Sequence, residues 1–512
     1  MNTFFKKYIV AVGLGAASLF STSCSDEFLE VVKPGEETTD VYFNSEEKAL
    51  ASLTAAYSDL KDYRWGWGYW AFNEALSDNS VYSGSDGDHS GFDQLKTFTP
   101  PRDTGIILNT WRLNYRGINK ANQAIDGISK MDESLFSSPA MKARLLGEAR
   151  FLRALYHFQL VRVFGRIVVV DGTVMTPDTE LTQVEPEVAY AFILEDLEAA
   201  EAGLWVKSNE GLELGRVSKG AAQAYLAKVN MYAGNYADAK AWAKKVIDSG
   251  EYRLDSDYAN IFSFNGEHGV ESIFEISFFN SSEEGSAFTN NGNFSTLFML
   301  PRGITYGFGI NQPSSDLAAA YDAEGDMVRK EVTMLSTERV FEIELASEYA
   351  ALEAANISGD ADAIAAAEDA VEEGKSKLVF DRTGYYQGKM YVSPSDRSQE
   401  IRNNGNNMRL MRYAEVLLLF AEASQRTGAD GEAAQALNEL RAVRSLGAKN
   451  LTGNALLEAI LLERRLELAG ENDRYPDLVR TGKATKLTGW AESNKYWPVP
   501  QAEVDITQGS IQ

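Results

Sequence analysis

The stretch LAKVNMYAGNYADA, residues 226–239, decides the fold, because a degenerate copy of it, FAEASQRTGADGEA, stands at residues 420–433. The two copies align without a gap and share small residues at three places, namely Ala227 and Ala421, Gly234 and Gly428, and Ala239 and Ala433. Each copy is typical of a helix, a glycine turn and a second helix whose small residues allow close approach. The repeat therefore predicts a mainly α fold built on tetratricopeptide-like helical hairpins.

Apolar residues recur at helical spacing over much of the remaining chain. We predict helices over 45–62, 105–130, 147–165, 186–203, 217–233 and 236–249. Residues 338–376 are rich in Ala and Glu and predict a helical hairpin with a turn at 357–362. Because this segment has an acidic face and few large apolar residues, we expect it to be a surface excursion.

Residues 277–315 have a different composition from the helical blocks on either side. They are rich in Asn, Ser, Gly and Phe, carry little charge and show no helical period. This pattern predicts a long loop, or a loop with short strands. Loops of this length are usually functional or disordered, and the many aromatic residues argue against disorder.

The N-terminus has the pattern of a secretory signal. Two lysines precede an apolar run at 9–20, which is too short for a convincing transmembrane helix. Three small polar residues, Ser21–Ser23, separate this run from Cys24, the only cysteine of the chain. Cys24 resembles the acylated cysteine of a bacterial lipobox, although Ser21 stands where Leu is usual. We predict a lipoprotein signal peptide at 1–23 and lipidation at Cys24; the alternative is a secreted protein with a free thiol.

The net charge and the absence of catalytic motifs disfavour several classes of function. The net charge of -25 argues against nucleic acid or an anionic membrane surface as the main ligand. The sequence contains no HExxH, GxSxG, Walker A, GxGxxG or CxxC motif, and its three histidines are far apart. We therefore expect no cofactor, no metal centre and no enzymatic activity. A carboxylate pair for glycoside hydrolysis stays open as an alternative, because acidic residues are abundant.

DGDHSG, residues 86–91, partly resembles a calcium loop. Asp86, Asp88, Ser90 and Gly91 match its positions 1, 3, 5 and 6, but Thr97 stands where the loop needs Glu. An acidic turn is the favoured interpretation.

RWGWGYW, residues 64–70, is the strongest candidate for a binding site. It contains four large rings, Trp65, Trp67, Tyr69 and Trp70. In an extended backbone Trp65, Trp67 and Tyr69 would share one face and could stack against sugar rings, while Asn73 could bind hydroxyl groups. The alternative is that some of these rings pack on the end of the 45–62 helix.

Several segments together resemble the RagB/SusD family of outer-membrane nutrient-binding lipoproteins. They are EARFLRALYHFQLVRVFGRIVVV (148–170), the central hairpin at 215–254, MRLMRYAEVLLLFAEA (408–423), LLERRLELAGENDRYPDLVRTGK (461–483) and YWPVPQAEVD (496–505). Their order matches the family, and the resemblance covers the chain after the signal peptide.

The resemblance implies a single α-helical domain over 24–512 with a loop-rich ligand face. Residues 24–270 would form its N-terminal part and 271–512 its C-terminal part, from which 338–376 departs as an insertion. Members of the family are anchored by lipid to the outer membrane and exposed at the surface, and CSDEFLE (24–30) resembles the start of such exported lipoproteins. They sit as a lid on a SusC-like TonB-dependent transporter, and they are not enzymes.

The resemblance also implies where the ligand binds. Family sites use aromatic residues from an early loop and from mid-chain loops, and the corresponding residues here are Trp65, Trp67, Tyr69, Trp70, Asn73, Phe288, Phe294, Tyr306 and Phe308. We predict an oligosaccharide or polysaccharide as the ligand. Two alternatives remain, an oligopeptide ligand within the same family and a helical-repeat scaffold that binds only protein.

Overall fold

The structure is a computed structural model that describes residues 42–84, 88, 90–172, 181–279, 292–398 and 403–512. The chain divides into two units, Met1–Asn44 and Ser45–Gln512. In the first unit, the described rings of Tyr42 and Phe43 meet edge to face with centroids 5.2 Å apart. The predicted signal peptide at 1–23 and Cys24 lie outside the described residues.

Helices dominate the second unit, so the mainly α prediction is confirmed. The helices are α1 Glu46–Ser58, α2 Tyr63–Trp70, α3 Ser90–Lys96, α4 Gly105–Lys130, α5 Pro139–Phe164, α6 Pro186–Gly203, α7 Lys219–Ala233, α8 Tyr236–Asp248, α9 Thr296–Met299, α10 Ser315–Glu324, α11 Met327–Thr333, α12 Thr337–Glu344, α13 Ala346–Ser358, α14 Ala361–Ser376, α15 Tyr413–Arg426, α16 Asp430–Val443, α17 Gly453–Leu468, α18 Arg474–Arg480 and α19 Gln501–Ile506. The strands are short: β1 Ser80–Tyr82, β2 Ile167–Val168, β3 Gln183–Val184, β4 Ser272–Ile276, β5 Asn311–Pro313, β6 Met334–Ser336, β7 Tyr385–Gln387 and β8 Met408–Arg412.

The repeated stretch forms two helical hairpins, as predicted. Helices α7 and α8 turn at Gly234, and α15 and α16 turn near Gly428; both glycines have the left-handed φ that favours this residue, 79° and 81°. Ala239 and Ala433 are fully buried, which lets the paired helices approach closely. Helix α8 packs against α15, so the two hairpins are neighbours.

The predicted helix boundaries hold within a few residues, with one clear exception. Helix α5 begins at Pro139, where we predicted a start at 147. The Ser138 hydroxyl caps it by accepting from the Met141 backbone N–H at 3.2 Å, and Pro139 occupies its first turn. Most of α5 is buried on several faces at once, so the chain carries no clear amphipathic period there.

A buried cluster of ion pairs ties the C-terminal elements together. The Glu467 carboxylate, fully buried on α17, accepts from Arg329 at 2.9 Å, Arg412 at 3.1 Å and Arg444 at 3.0 Å. Burial alone would raise the pKa of Glu467, but the three arginines hold that pKa far below its usual range. The cluster thus joins α11, β8 and the end of α16 to α17.

The middle of the chain is tied to the start of the second unit. Strand β1 pairs antiparallel with β5, so that Ser80 lies opposite Pro313. Of the predicted 277–315 loop, residues 280–291 lie outside the described residues, and the rest contains only α9 and β5 as regular elements. The pairing brings this mid-chain region beside α2.

The Ala/Glu-rich segment is helical, as predicted. Helices α13 and α14 form its hairpin, with Gly359 in a left-handed turn at φ 70°, and α12 precedes them. Most of their side chains are exposed. Among the described residues, no helix combines the length with the apolar character that a membrane span requires.

Candidate functional site

The stretch RWGWGYW is helical, so the predicted extended row of rings is wrong. Helix α2 starts after Asp62, whose carboxylate accepts from the Arg64 backbone N–H at 3.0 Å. The glycines serve packing: a Cβ on Gly66 would lie 2.6 Å from Ser295 Oγ, and one on Gly68 would overlap the Thr110 hydroxyl. Close approach to neighbouring elements therefore explains both glycines.

Three of the four rings lie in the core, and Asn73 lies there too. Trp65 is 2% exposed, stacks on Tyr69 with centroids 4.9 Å apart, and donates its indole N–H to Asn114 Oδ1 at 3.1 Å. Trp70 is equally buried. The Asn73 amide is fully buried and donates to the Tyr69 carbonyl at 2.7 Å. None of these four side chains has the surface exposure that ligand contact in this conformation requires.

The remaining predicted aromatics divide into a packed group and an exposed residue. Trp67 is half-buried and meets the ring of Phe298 edge to face, with centroids 4.1 Å apart. Phe294 and Phe308 pack on the same Phe298 ring at 5.6 and 5.8 Å. Tyr306 is 76% exposed, and Phe288 lies outside the described residues.

The structure thus brings the early and mid-chain aromatic residues together around Phe298, which the sequence analysis missed. We call Tyr63, Trp67, Phe294, Phe298 and Phe308 the aromatic cluster; Tyr63 joins it through Phe294, at a centroid distance of 5.0 Å. Phe298 sits on the short helix α9, inside a region that shows no period in the sequence. Only the fold shows that it is the centre of the cluster.

A cavity of about 450 Å³ opens beside α2. It is lined by Tyr63, Arg64, Trp67, Gly91, Gln94, Pro101, Asp103, Thr104, Gly105, Ile106 and Asn109. We call it the α2 cavity. Its volume lies in the range of about 300–1,000 Å³ that is typical of ligand pockets.

One wall of the α2 cavity comes from α2 and the opposite wall from residues 101–109. The sequence analysis missed this second wall. The available signal was PPRDTG, residues 100–105, a cluster of turn-forming residues directly before the predicted 105–130 helix. Such turns place backbone and polar side chains at the surface, where ligands are met.

The lining groups combine aromatic rings with hydrogen-bonding side chains. Tyr63 and Trp67 offer ring surface, and Gln94 and Asn109 offer amides. Arg64 is held by Asp62 through two hydrogen bonds, at 3.0 and 2.7 Å, and this pairing raises the pKa of Arg64. The cavity can therefore stack a planar or ring-shaped ligand and bond its hydroxyl groups.

The cavity does not present the chemistry of a glycosidase. Among its described lining residues Asp103 is the single carboxylate, whereas glycoside hydrolysis needs a pair. In the described part of the chain, no three His, Cys, Asp or Glu side chains are arranged to hold a metal ion. At the former calcium-loop candidate, Asp88 pairs with Arg302, and Asp86 lies outside the described residues.

Comparison with known proteins shows which family the chain resembles in sequence. The sequence profile of the SusD family matches residues 270–496. A second profile, described as starch-binding associating with outer membrane, matches residues 27–231. The chain belongs to the SusD/RagB family. The two matches together account for most of its length, and the resemblance seen in the sequence is confirmed.

Relatives match the chain over nearly its whole length. A SusD-like protein of Formosa agariphila is 26% identical over 531 aligned residues, covering 96% of this chain and 95% of that protein. Surface glycan-binding protein A of Bacteroides thetaiotaomicron, solved with laminarihexaose, has a TM-score of 0.74 at 23% identity and covers 91% of this chain and 99% of its own. A laminarin-binding SusD-like protein has a TM-score of 0.73 at 26% identity, over 91% and 98%.

Proposed function

We propose that this protein captures glycans at the cell surface and delivers them to a SusC-like TonB-dependent transporter in the outer membrane. The α2 cavity carries the proposal, because it places Tyr63 and Trp67 beside the amides of Gln94 and Asn109. Aromatic faces suit the C–H faces of sugar rings, and amides suit their hydroxyl groups. Membership of the SusD/RagB family supports it independently.

Trp67 and Tyr63 are the proposed stacking residues, and Phe294 and Phe308 support them through the aromatic cluster. Tyr306, 76% exposed and two residues from Phe308, is the proposed contact for the part of a glycan that projects outwards. Trp65, Tyr69, Trp70 and Asn73 would act by holding α2 in place. Phe288 stays a predicted contact.

Neutral β-glucans are the proposed ligands. One structurally similar protein was solved in complex with laminarihexaose, and another is a laminarin-binding SusD-like protein. The bound glycan would be released without cleavage, because the α2 cavity offers only one carboxylate among its described lining residues and hydrolysis needs two. Lipidation at Cys24 would anchor the protein to the outer membrane, since acyl chains contribute about 0.8 kcal/mol per buried CH₂.

Isothermal titration tests this proposal. The full-length protein, purified in a detergent without sugar groups, would be titrated with laminarihexaose, other neutral oligosaccharides and an unrelated oligopeptide. The Tyr63→Ala variant should bind laminarihexaose about fivefold more weakly, because loss of one ring contact is worth roughly 1 kcal/mol.

The matched control is Tyr349→Ala, which removes an equally half-buried tyrosine on α13, outside the cavity lining. It should bind like the wild type. Binding of the oligopeptide alone would contradict the glycan proposal and favour the peptide-binding alternative. Glycan binding that is unchanged in Tyr63→Ala would contradict the location of the site.

A further inference from the structure

A second cavity, of about 220 Å³, lies among the start of α6, the turn between α7 and α8, and α18. It is lined by Arg162, Pro186, Glu187, Tyr190, Met231, Tyr232, Gly234, Tyr236, Tyr475, Pro476, Val479, Arg480, Lys495 and Tyr496. We call it the tyrosine cavity. It has no lining residue in common with the α2 cavity.

Five tyrosines line this small space: Tyr190, Tyr232, Tyr236, Tyr475 and Tyr496. Tyrosine combines a ring face with a hydroxyl and loses little conformational entropy on binding, which is why it is common in recognition sites. A volume below the usual range for ligand pockets fits one sugar ring better than a chain of them.

Several donors in the cavity wall make no well-formed hydrogen bond within the described protein. The side chains of Arg162 and Tyr232 interact with each other, as do those of Tyr475 and Trp490, but the Arg162 Nε–H and the two tyrosine hydroxyls lack a hydrogen bond of normal geometry. The rest of the Arg162 guanidinium is fixed, since it donates to Asp473 at 3.1 Å and to Gln159 at 2.6 Å. These donors are thus only weakly paired within the chain, and an acceptor placed in the cavity would give them well-formed hydrogen bonds.

The charged side chains that line the tyrosine cavity favour an anionic acceptor. Three cations, Arg162, Arg480 and Lys495, line the cavity against one exposed acid, Glu187, in a chain whose net charge is -25. Arg480 is neutralised by Glu422 at 2.7 Å and Asp477 at 2.8 Å, and Arg162 is paired with Asp473 at 3.1 Å.

Lys495 is different. Among the described residues it makes no ion pair, and its ammonium lies 5.2 Å from the centre of the Tyr496 ring. A carboxylate would therefore find a cation, an Arg162 N–H and tyrosine hydroxyls as donors.

From this arrangement we propose that the tyrosine cavity binds a single acidic sugar unit, a hexuronate, independently of the α2 cavity. The sugar ring stacks on the tyrosines, and its carboxylate accepts from Arg162, Lys495 and the tyrosine hydroxyls. The protein would then hold a neutral glycan and an acidic sugar at separate places.

Ligand-observed NMR and isothermal titration of the full-length protein test this with three probes: glucuronate, glucose and acetate. Glucuronate should bind at least tenfold more tightly than either of the others, because it alone supplies both the ring and the charge. Equal binding of glucose would overturn the role of the carboxylate. Acetate binding as tight as that of glucuronate would show an anion site that does not recognise the sugar ring, and would overturn the proposal. Absence of binding by all three probes would overturn it as well.

Two variants locate the effect. Tyr232→Phe and Lys495→Gln should each weaken glucuronate binding about fivefold or more, since each removes one donor. Lys244→Gln is the control, because Lys244 is 54% exposed and pairs with Asp248 on the surface of α8. Unchanged glucuronate affinity in both cavity variants would overturn the assignment.

The melting temperature separates binding from a structural role. The Tyr232 hydroxyl makes only a poorly aligned contact with Arg162, so Tyr232→Phe should melt at nearly the same temperature as the wild type. A lower melting temperature with intact glucuronate affinity would show that the hydroxyl is structural. Tyr63→Ala, measured in parallel, should retain glucuronate binding, so that failure at one cavity is distinguishable from failure at the other.

Discussion

Replacing Trp65 by alanine should destabilise the protein strongly, because its ring belongs to the core. Trp65 is 2% exposed, stacks on Tyr69 and donates to Asn114. Truncating a buried tryptophan to alanine costs about 3–5 kcal/mol. The Asn114 oxygen is buried as well, and losing its donor adds roughly 1 kcal/mol or more. We expect Trp65→Ala to lower the free energy of unfolding by at least about 4 kcal/mol.

Urea unfolding followed by circular dichroism measures this loss directly, and calorimetry gives the melting temperature. With an unfolding entropy of about 2.1 cal/mol/K per residue, roughly 1 kcal/mol corresponds to one degree in a chain of this length, so the melting temperature should fall by about 4 °C or more.

The control is Trp242→Ala on α8, since that ring is only half-buried and its loss should cost less. A Trp65→Ala protein that keeps its stability within about 1 kcal/mol, yet no longer binds laminarihexaose, would refute the placement of this ring.

Three further predictions concern the interior. Glu467→Gln should cost about 3–5 kcal/mol in urea unfolding, because it removes the negative charge that Arg329, Arg412 and Arg444 share and replaces one acceptor oxygen with an NH₂ donor. Burial raises the pKa of Glu74 to about 7, so the folded protein keeps a proton that the unfolded chain loses near 4.5. The wild type should therefore lose up to about 3 kcal/mol relative to Glu74→Gln as the pH rises from 4.5 to 7, measured by urea unfolding at each pH. Gly68→Ala should lower the melting temperature, because its Cβ would overlap Thr110 and force α2 away from α4 at a cost of roughly 1–3 kcal/mol.

Each of these predictions has its own contrary result. The control for the first prediction is Glu458→Gln, which changes an acid whose side chain is 51% exposed and should cost less than about 1 kcal/mol. An equally small loss of stability in Glu467→Gln would contradict the role of the buried cluster. Parallel pH profiles of the wild type and Glu74→Gln would show that Glu74 ionises normally. A Gly68→Ala variant that melts with the wild type would mean that α2 and α4 are not in close contact.

The hairpins could be predicted from the sequence because their signals are local. Gly234 and Gly428 stand at turns that need a left-handed φ, and Ala239 and Ala433 stand where helices touch. Residues that interact within one hairpin leave their pattern within a few turns of the chain. The family resemblance depended on the same local patterns, and it was confirmed.

The conformation of RWGWGYW could not be predicted in this way. Two glycines and three tryptophans in seven residues disfavour a helix by intrinsic propensity, and tertiary packing overrides that preference. The deciding contacts, from Gly66 to Ser295 and from Gly68 to Thr110, join distant parts of the chain. The sequence gives no sign of those pairings.

The second wall of the α2 cavity escaped prediction for a related reason. Asp103 and Asn109 carry no motif, and they become neighbours of Tyr63 only when α4 packs against α2. Phe298 likewise gains its central place through the pairing of β1 with β5. The identity of the aromatic residues was visible in the sequence, but which of them face a cavity depended on long-range packing.

Fluorine NMR of the protein labelled with 5-fluorotryptophan tests the central claim most directly, because the chain has only eight tryptophans. The resonance of Trp67, assigned from Trp67→Phe, should move when laminarihexaose is added, while those of the buried Trp65 and Trp70 move far less. A titration in which laminarihexaose binds but shifts a distant tryptophan such as Trp242, and leaves Trp67 unmoved, would contradict glycan capture at the α2 cavity.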